Sequence, residues 1–148
     1  MGDLQCTMNY STCKLATYNW LEGLDLQQFN DIFEIRFKNT HKGFYRNASD
    51  TTLKVGDIVA VEAATGHDIG LVSLAGPLVL KQMKRHKLNP QTYEFRKIYR
   101  KAKLLDLEKW QEAIAREHHV LMRSRQIAAA EGLQMKIGDV EFQGDGTK

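Results

Sequence analysis

Two thiols, five imidazoles and a dense run of cations are the side chains of this sequence best equipped for chemistry. Cys6 and Cys13 stand in CTMNYSTCKL with six residues between them. Compact metal sites favour closer pairs such as C-x2-C, and an iron–sulfur cluster needs about four ligands. The pair therefore reads either as two free thiols or as part of a ligand set completed from elsewhere. His41, His67, His86, His118 and His119 never fall at a ligating spacing such as H-x3-H. His67-Asp68 falls in an expected turn, where Asp is useful for bonding backbone. No nucleophile or oxyanion donor accompanies it. GHDIG lacks the strand–loop–helix setting and the Lys-Ser/Thr tail of a phosphate loop. Ser49, Ser73 and Ser124 lie in no G-x-S-x-G elbow. With no two-carboxylate pattern either, the expectation is a protein that is not an enzyme.

The cations are more informative. From Lys81 to Lys103 there are nine Lys or Arg residues (Lys81, Lys84, Arg85, Lys87, Arg96, Lys97, Arg100, Lys101 and Lys103) and one acid, Glu94. The whole chain carries a net charge of only +3, so most of the positive excess sits in this window. A run of this kind suits phosphate. Tyr93, Phe95 and Tyr99 are interleaved with it and suit stacking on single-stranded bases. If 78–84 and 95–101 are strands on neighbouring paths, these cations share one face and make a direct RNA- or DNA-binding module. In the other reading Phe95 and Tyr99 are core and the cations are a solvated surface or meet an acidic protein partner.

Such a surface needs elements to carry it. IFEIRFK (32–38) alternates, with Phe33, Ile35 and Phe37 on one side and Glu34, Arg36 and Lys38 on the other, as a half-buried strand does. FYRN returns the chain. IVAVEA (58–63) is nearly continuous apolar sequence, and IGLVSL (69–74) comes back antiparallel after the ATGHD turn. LVLKQMK (78–84) is compatible with strand or helix. FRKIYRK (95–101) reads as a strand with Phe95, Ile98 and Tyr99 inward. A helix of about 25 residues follows, with Asp106 as candidate N-cap and Gly132 at the left-handed C-terminal position. Leu107, Trp110, Ile114, His118, Leu121 and Arg125 share its periodic face, with one of His118 and His119 at the buried edge. Met135, Ile137, Val140 and Phe142 read as a last strand with a bulge at Gly138-Asp139, before a Gly144-Asp145-Gly146 turn. The expected class is α+β. Residues 1–31 form an arm, 32–88 a small curled, barrel-like antiparallel sheet, and 89–148 a strand–helix–strand unit that is incomplete at its C-terminus.

The composition, 43% hydrophobic and 26% charged, is ordinary for a soluble globular chain. No apolar run approaches the roughly 18 residues of a membrane span. The N-terminus has no apolar segment of a secretory signal, so a cytoplasmic setting without membrane insertion is expected.

Four segments in order, EIRFKNTHKGFYRN, LKVGDIVAVEAATGHDIGLVSLAGP, RKIYRKAKLLDLEKW and EGLQMKIGDVEFQGDGTK, resemble the polymerase-suppressor (PSP) C-terminal-domain family, which includes the YaaT-like (RicT-like) stage-zero sporulation proteins. The resemblance spans residues 32–148. It implies a regulatory adaptor among the protein partners of a complex that modulates messenger-RNA processing by an endoribonuclease of the ribonuclease Y type. It also implies a Cys-rich segment beyond the DGTK turn, before which this chain stops, as a truncated member or fragment would. In YaaT-like proteins cysteines help to hold an iron–sulfur cluster. Cys6 and Cys13 resemble part of a Cys-rich N-terminal stretch in some members, so a cluster is expected only in the full-length protein or in a complex.

Overall fold

A computed structural model describes residues 31–146. Cys6, Cys13 and all of the expected arm except Asp31 lie outside the described residues. The elements are β1 (Ile32–Arg36), β2 (Lys42–Asn47), β3 (Ile58–Glu62), β4 (His67–Ala75), α1 (Pro77–Arg85), β5 (Arg96–Lys101) and α2 (Leu104–Ala130). The strands form a five-stranded mixed sheet closed into a ring, in the order β1-β2-β5-β3-β4 and back to β1. Strict alternation of direction cannot close around five strands, so at least one joint must be parallel. Here it is the joint of β2 and β5, which spans only Tyr45↔Arg96 to Asn47↔Ile98. The class is α+β, as the sequence suggests. The division at residue 89 does not separate two sheets, because β5 pairs with β2 and β3 inside the same ring.

The alternation in β1 places Phe33 and Ile35, with Phe37 just beyond, inside the ring against Tyr45, Leu53, Val59, Val61, Val72 and Ile98. Gly70 is part of this packing: a Cβ there would stand 2.8 Å from Phe37 Cε1. The outer face of β1 was expected to meet water, yet Ile32 and Glu34 are buried. Segment 78–84 is a helix, and α1 lies over β4 and β1. Val79 and Met83 pack on Ile32 and Phe44, forming a second core outside the ring. Glu34 is fully buried on that outer face. The Ser73 hydroxyl donates to its Oε1 at 2.7 Å, and Lys42 Nζ lies 3.5 Å from Oε2. A buried carboxylate needs such partners.

Pro77 opens α1, where its fixed φ is already helical and its missing N–H has no helical partner to lose. Past its end, the Lys87 and Leu88 N–H groups bond back to the Lys84 and Met83 carbonyls, a Schellman motif. The motif sets Lys87 at φ 58°. Helix α2 ends in the same way, with Gly132 at φ 63° and the Gly132 and Leu133 N–H groups on the Ala129 and Ala128 carbonyls. Its start differs from expectation. Lys103 is the N-cap and Asp106 is the third helical residue, whose Oδ2 accepts the Lys103 N–H at 2.7 Å. The carboxylate still satisfies an end donor, from inside the helix rather than ahead of it.

Twenty-seven residues make α2 about 40 Å long, longer than the ring can cover. Ala113, Glu117 and Ala128 are buried along it, while Leu104, Leu105, Met122 and Ile127 are exposed. His118 and His119 are both exposed, so neither sits at a buried edge. The expected last strand does not form: residues 133–143 run as irregular chain, and a turn does follow at 144–145. No described helix is long and apolar enough to cross a membrane.

Candidate binding surface and the clasp beside it

The fold divides the basic segment between two places. Lys81, Lys84, Arg85 and Lys87 are exposed on α1 and its end, over β4 and β1. Arg96, Lys97 and Lys101 are exposed on β5, which lies between β2 and β3. In ring order β5 is opposite the joint of β4 and β1. The neighbouring-strand condition for one shared face therefore fails, because 78–84 is helical and β5 has other neighbours.

Several of these cations have structural work. The Arg100 guanidinium grips Asp106 through both terminal nitrogens, Nη2 standing 3.1 Å from Oδ1. Lys101 Nζ lies 2.7 Å from Asp57. Lys97 contributes its backbone N–H rather than its ammonium, donating to Glu62 Oε2 at 3.0 Å. Lys103 is exposed at the N-cap of α2. Tyr99, expected inward, is 45% exposed, because the β3–β5 register shifts between Ala60 and Val61 and Ile98 alone fills the core from this strand. Tyr93 and Phe95 are half-buried and belong to the outer core. Their rings meet edge to face at 4.9 Å, and Tyr93 meets Phe44 in the same way at 6.3 Å. The Arg46 guanidinium covers the Phe95 ring at 5.0 Å.

The Arg100–Asp106 contact holds the Asp106 carboxyl down at about 2, against an ordinary 3.8; burial opposes this and the Lys103 N–H reinforces it. A lowered carboxyl adds stability that is complete above the ordinary value and is lost as pH falls through about 2. Asp106→Asn is expected to cost about 1–2 kcal/mol at pH 7. Its deficit relative to the parent should shrink between pH 4 and pH 2 in urea titrations. A deficit that stays constant over that range would remove the ion pair from the account.

Beside β5 the ring is closed only by the short parallel ladder. The β2–β5 ladder begins only at Tyr45, so Lys42–Phe44 have no strand partner on that side. A cleft of about 540 Å³ occupies the gap, with Lys42, Tyr45, Glu62, Tyr93, Glu94, Phe95 and Arg96 among its lining. Burial pushes the Tyr45 phenol upward, with Arg96 opposing, so it is a neutral donor at pH 7.

At another rim of the ring, the segment that failed to become a strand acts as a clasp. Its backbone bonds to side chains instead of a ladder. The Phe142 N–H donates to Glu117 Oε1 of α2 at 3.1 Å, and the Gly144 N–H to Asp68 Oδ1 of β4 at 2.7 Å. The Ile137 and Gly138 carbonyls accept from Arg125 at 2.9 and 3.3 Å. Lys38 is the hub: its Nζ donates to Glu117 Oε2 at 2.8 Å, Asp139 Oδ1 at 2.7 Å and the Val140 carbonyl at 2.6 Å. Glu141 Oε1 accepts the Lys38 N–H, and its Oε2 lies 2.8 Å from His41 Nδ1. Gln143 reaches the Thr65 carbonyl at 2.6 Å, and the His67 N–H donates to Asp145 at 3.3 Å. Trp110 and Ile114 face Phe37, Ile69 and Phe142 across a cavity of about 220 Å³.

The charges of the clasp tune one another. Partial burial works against the Lys38 cation, but its bonds to Asp139 and Glu117 outweigh this and raise its pKa. Lys38 in turn lowers Asp139. Burial pushes Asp68 up, against the N–H groups of Gly144 and Ile69 that it accepts. His67 and Asp68 belong to the first pairs of β4 rather than to the turn before it, which is how Asp68 reaches Gly144. The sequence reading missed the clasp and the cleft because their residues meet across separations of 12 to 103 positions, with no local spacing to mark them. Among the described residues no group of three or more His, Cys, Asp or Glu is placed to hold a metal ion.

No curated protein and no solved structure matches the chain. The family model described as the PSP1 C-terminal conserved region matches residues 96–148. The two earlier segments of the resemblance, in β1–β2 and β3–β4, stand outside the match. β5, α2 and the clasp fall within it, and this part of the chain is similar to the PSP1 C-terminal conserved region.

Proposed function

We propose that the chain is a non-catalytic regulatory adaptor. Its role would be to join a complex that modulates messenger-RNA processing by an endoribonuclease of the ribonuclease Y type, as its resemblance to YaaT-like (RicT-like) stage-zero sporulation proteins implies. The observation that carries the reading is α2, a long helix within the family-matched region that leaves Leu104, Leu105, Met122 and Ile127 exposed. Apolar side chains exposed along a helix that a clasp bonds through Glu117 and Arg125 suit docking of a protein. A tagged pull-down from native lysate, with and without ribonuclease, tests it. Capture of an endoribonuclease or its accessory proteins after ribonuclease treatment is the expected result. Loss of every partner on ribonuclease treatment would count against the adaptor.

The second reading is direct binding of RNA or DNA through 81–103, supported by the exposure of Lys81, Lys84, Arg85 and Lys87 and of Arg96, Lys97, Tyr99, Lys101 and Lys103. It requires affinity that falls steeply with salt, as counterions are released at each phosphate contact.

A further inference from the structure

We infer that the cleft between β2 and β5 binds one nucleotide unit whose base carries hydrogen-bond donors, guanine above all. The inference narrows the second reading to one site and does not need residues 81–103 to act as one surface. It starts from the gap in the ring. Because the parallel ladder stops at Tyr45↔Arg96, the start of β2 and the approach to β5 stand apart and leave a concavity of about 540 Å³. That is within the range of volumes that small ligands occupy.

Three kinds of group line it. Arg96 and Lys42 supply cations, and guanidinium in particular matches the geometry of phosphate oxygens. Tyr93 and Phe95 supply half-buried aromatic rings, held edge to face so that neither turns away. Glu62 and Glu94 supply carboxylates. The acids are the diagnostic feature. A surface built for phosphate alone gains nothing from two carboxylates beside its cations, because they repel the ligand. A nucleotide presents both signs: phosphate oxygens at one end, N–H donors on the base edge at the other. Ionised carboxylates accept only. Guanine offers adjacent N1–H and N2–H donors to one carboxylate, and adenine and cytosine each offer an amino group. Uracil offers a single N–H between two carbonyls, which a carboxylate repels. The order expected from this chemistry is guanine first and uracil last.

The same chemistry comes from a free nucleotide or from one residue of single-stranded RNA, and titration separates them. The probes are GMP, AMP, CMP and UMP, and fluorescein-labelled heptamers of uridine with or without one central guanosine. They are titrated into the intact chain at two salt concentrations, with amide chemical shifts of residues 42–45 and 94–97 as the site-specific readout. The expected result is shifts at those amides and a guanine-over-uracil preference of about tenfold. Glu94→Gln should abolish the preference, and Arg96→Ala should weaken every probe several-fold. Both side chains are exposed, and a thermal melt confirms that the variants fold. A heptamer that binds more than tenfold better than GMP makes the ligand a strand; equal affinity makes it a free nucleotide. Either supports the site. Binding that is indifferent to the base, unchanged in Glu94→Gln and lost with salt would overturn the site while leaving purely electrostatic RNA binding in place. Binding without shifts at 42–45 and 94–97, or no binding, would also overturn it.

Discussion

Gly144→Ala is expected to detach the clasp from the ring while leaving the ring folded. A Cβ at residue 144 would stand 2.6 Å from both the Ile69 backbone nitrogen and Ile69 Cβ. Neither atom can yield as the tip of a flexible side chain can, because Ile69 sits in β4 with its side chain buried. The clasp must therefore move. Moving it breaks the Gly144–Asp68 bond and strains the neighbouring bonds of Gln143 and Asp145. Overpacking of this kind costs about 1–3 kcal/mol. Hydrogen exchange should show amides 140–145 losing protection while those of β1, β3 and β4 keep theirs. Gly138→Ala is the control, since a Cβ there meets nothing within 4 Å. If amides 140–145 of the Gly144→Ala protein exchange as slowly as in the parent, the clasp is not held by this contact.

Lys38→Met should have the second large effect. The ammonium bridges the β1–β2 turn to α2 and to the clasp at once. Without it Glu117, whose side chain is only 9% exposed, keeps its charge beside Asp139 with no cation between them. Breaking a buried pair costs about 3–5 kcal/mol. The Lys38 and Asp139 side chains are partly exposed, so solvent screening reduces the figure to about 2 kcal/mol. The sign of the pH dependence gives an independent check. Lys38 lowers Asp139, so the parent gains stability that is complete above the ordinary 3.8 and fades as pH falls below it. The variant lacks that gain. Its deficit in chemical denaturation should be largest near neutral pH and should narrow in acid. A deficit that stays constant into acid would mean that Lys38 acts through packing of its stem rather than through charge.

The two predictions concern contacts that no local pattern marks. Lys38 reads as the polar end of an alternating strand and Asp139 as part of a bulge, and both readings are locally sound. Lys38 becomes a hub only because the turn after β1 meets α2 and residues 139–141, about a hundred positions away. Glu34 shows the same limit. Its place in the alternation puts it outside the ring, but α1 lies over the outer faces of β1 and β4, and the outside there becomes a second core. Residues 135–142 fail for a related reason. Their alternation suits a strand, but Glu117 takes the Phe142 N–H and Asp68 takes that of Gly144 just beyond, and no described strand lies alongside to replace them.

By itself the sequence determined what depends on near neighbours. Alternation marked β1, short apolar runs bounded by turn residues marked β3 and β4, FRKIYRK was legible as the strand β5, the helical period and Gly132 marked α2 and its end, and the Gly144-Asp145 turn was legible as a turn. The concentration of cations between Lys81 and Lys103 was plain as well. Tertiary structure alone decided where those cations lie, that β5 closes the ring, that the last segment is a clasp, and that a cleft opens where the parallel ladder runs short. Period and turn chemistry act over a few residues and are written in adjacent side chains. Ring closure and charge pairing depend on groups brought together by the whole fold, and no short stretch of chain encodes them.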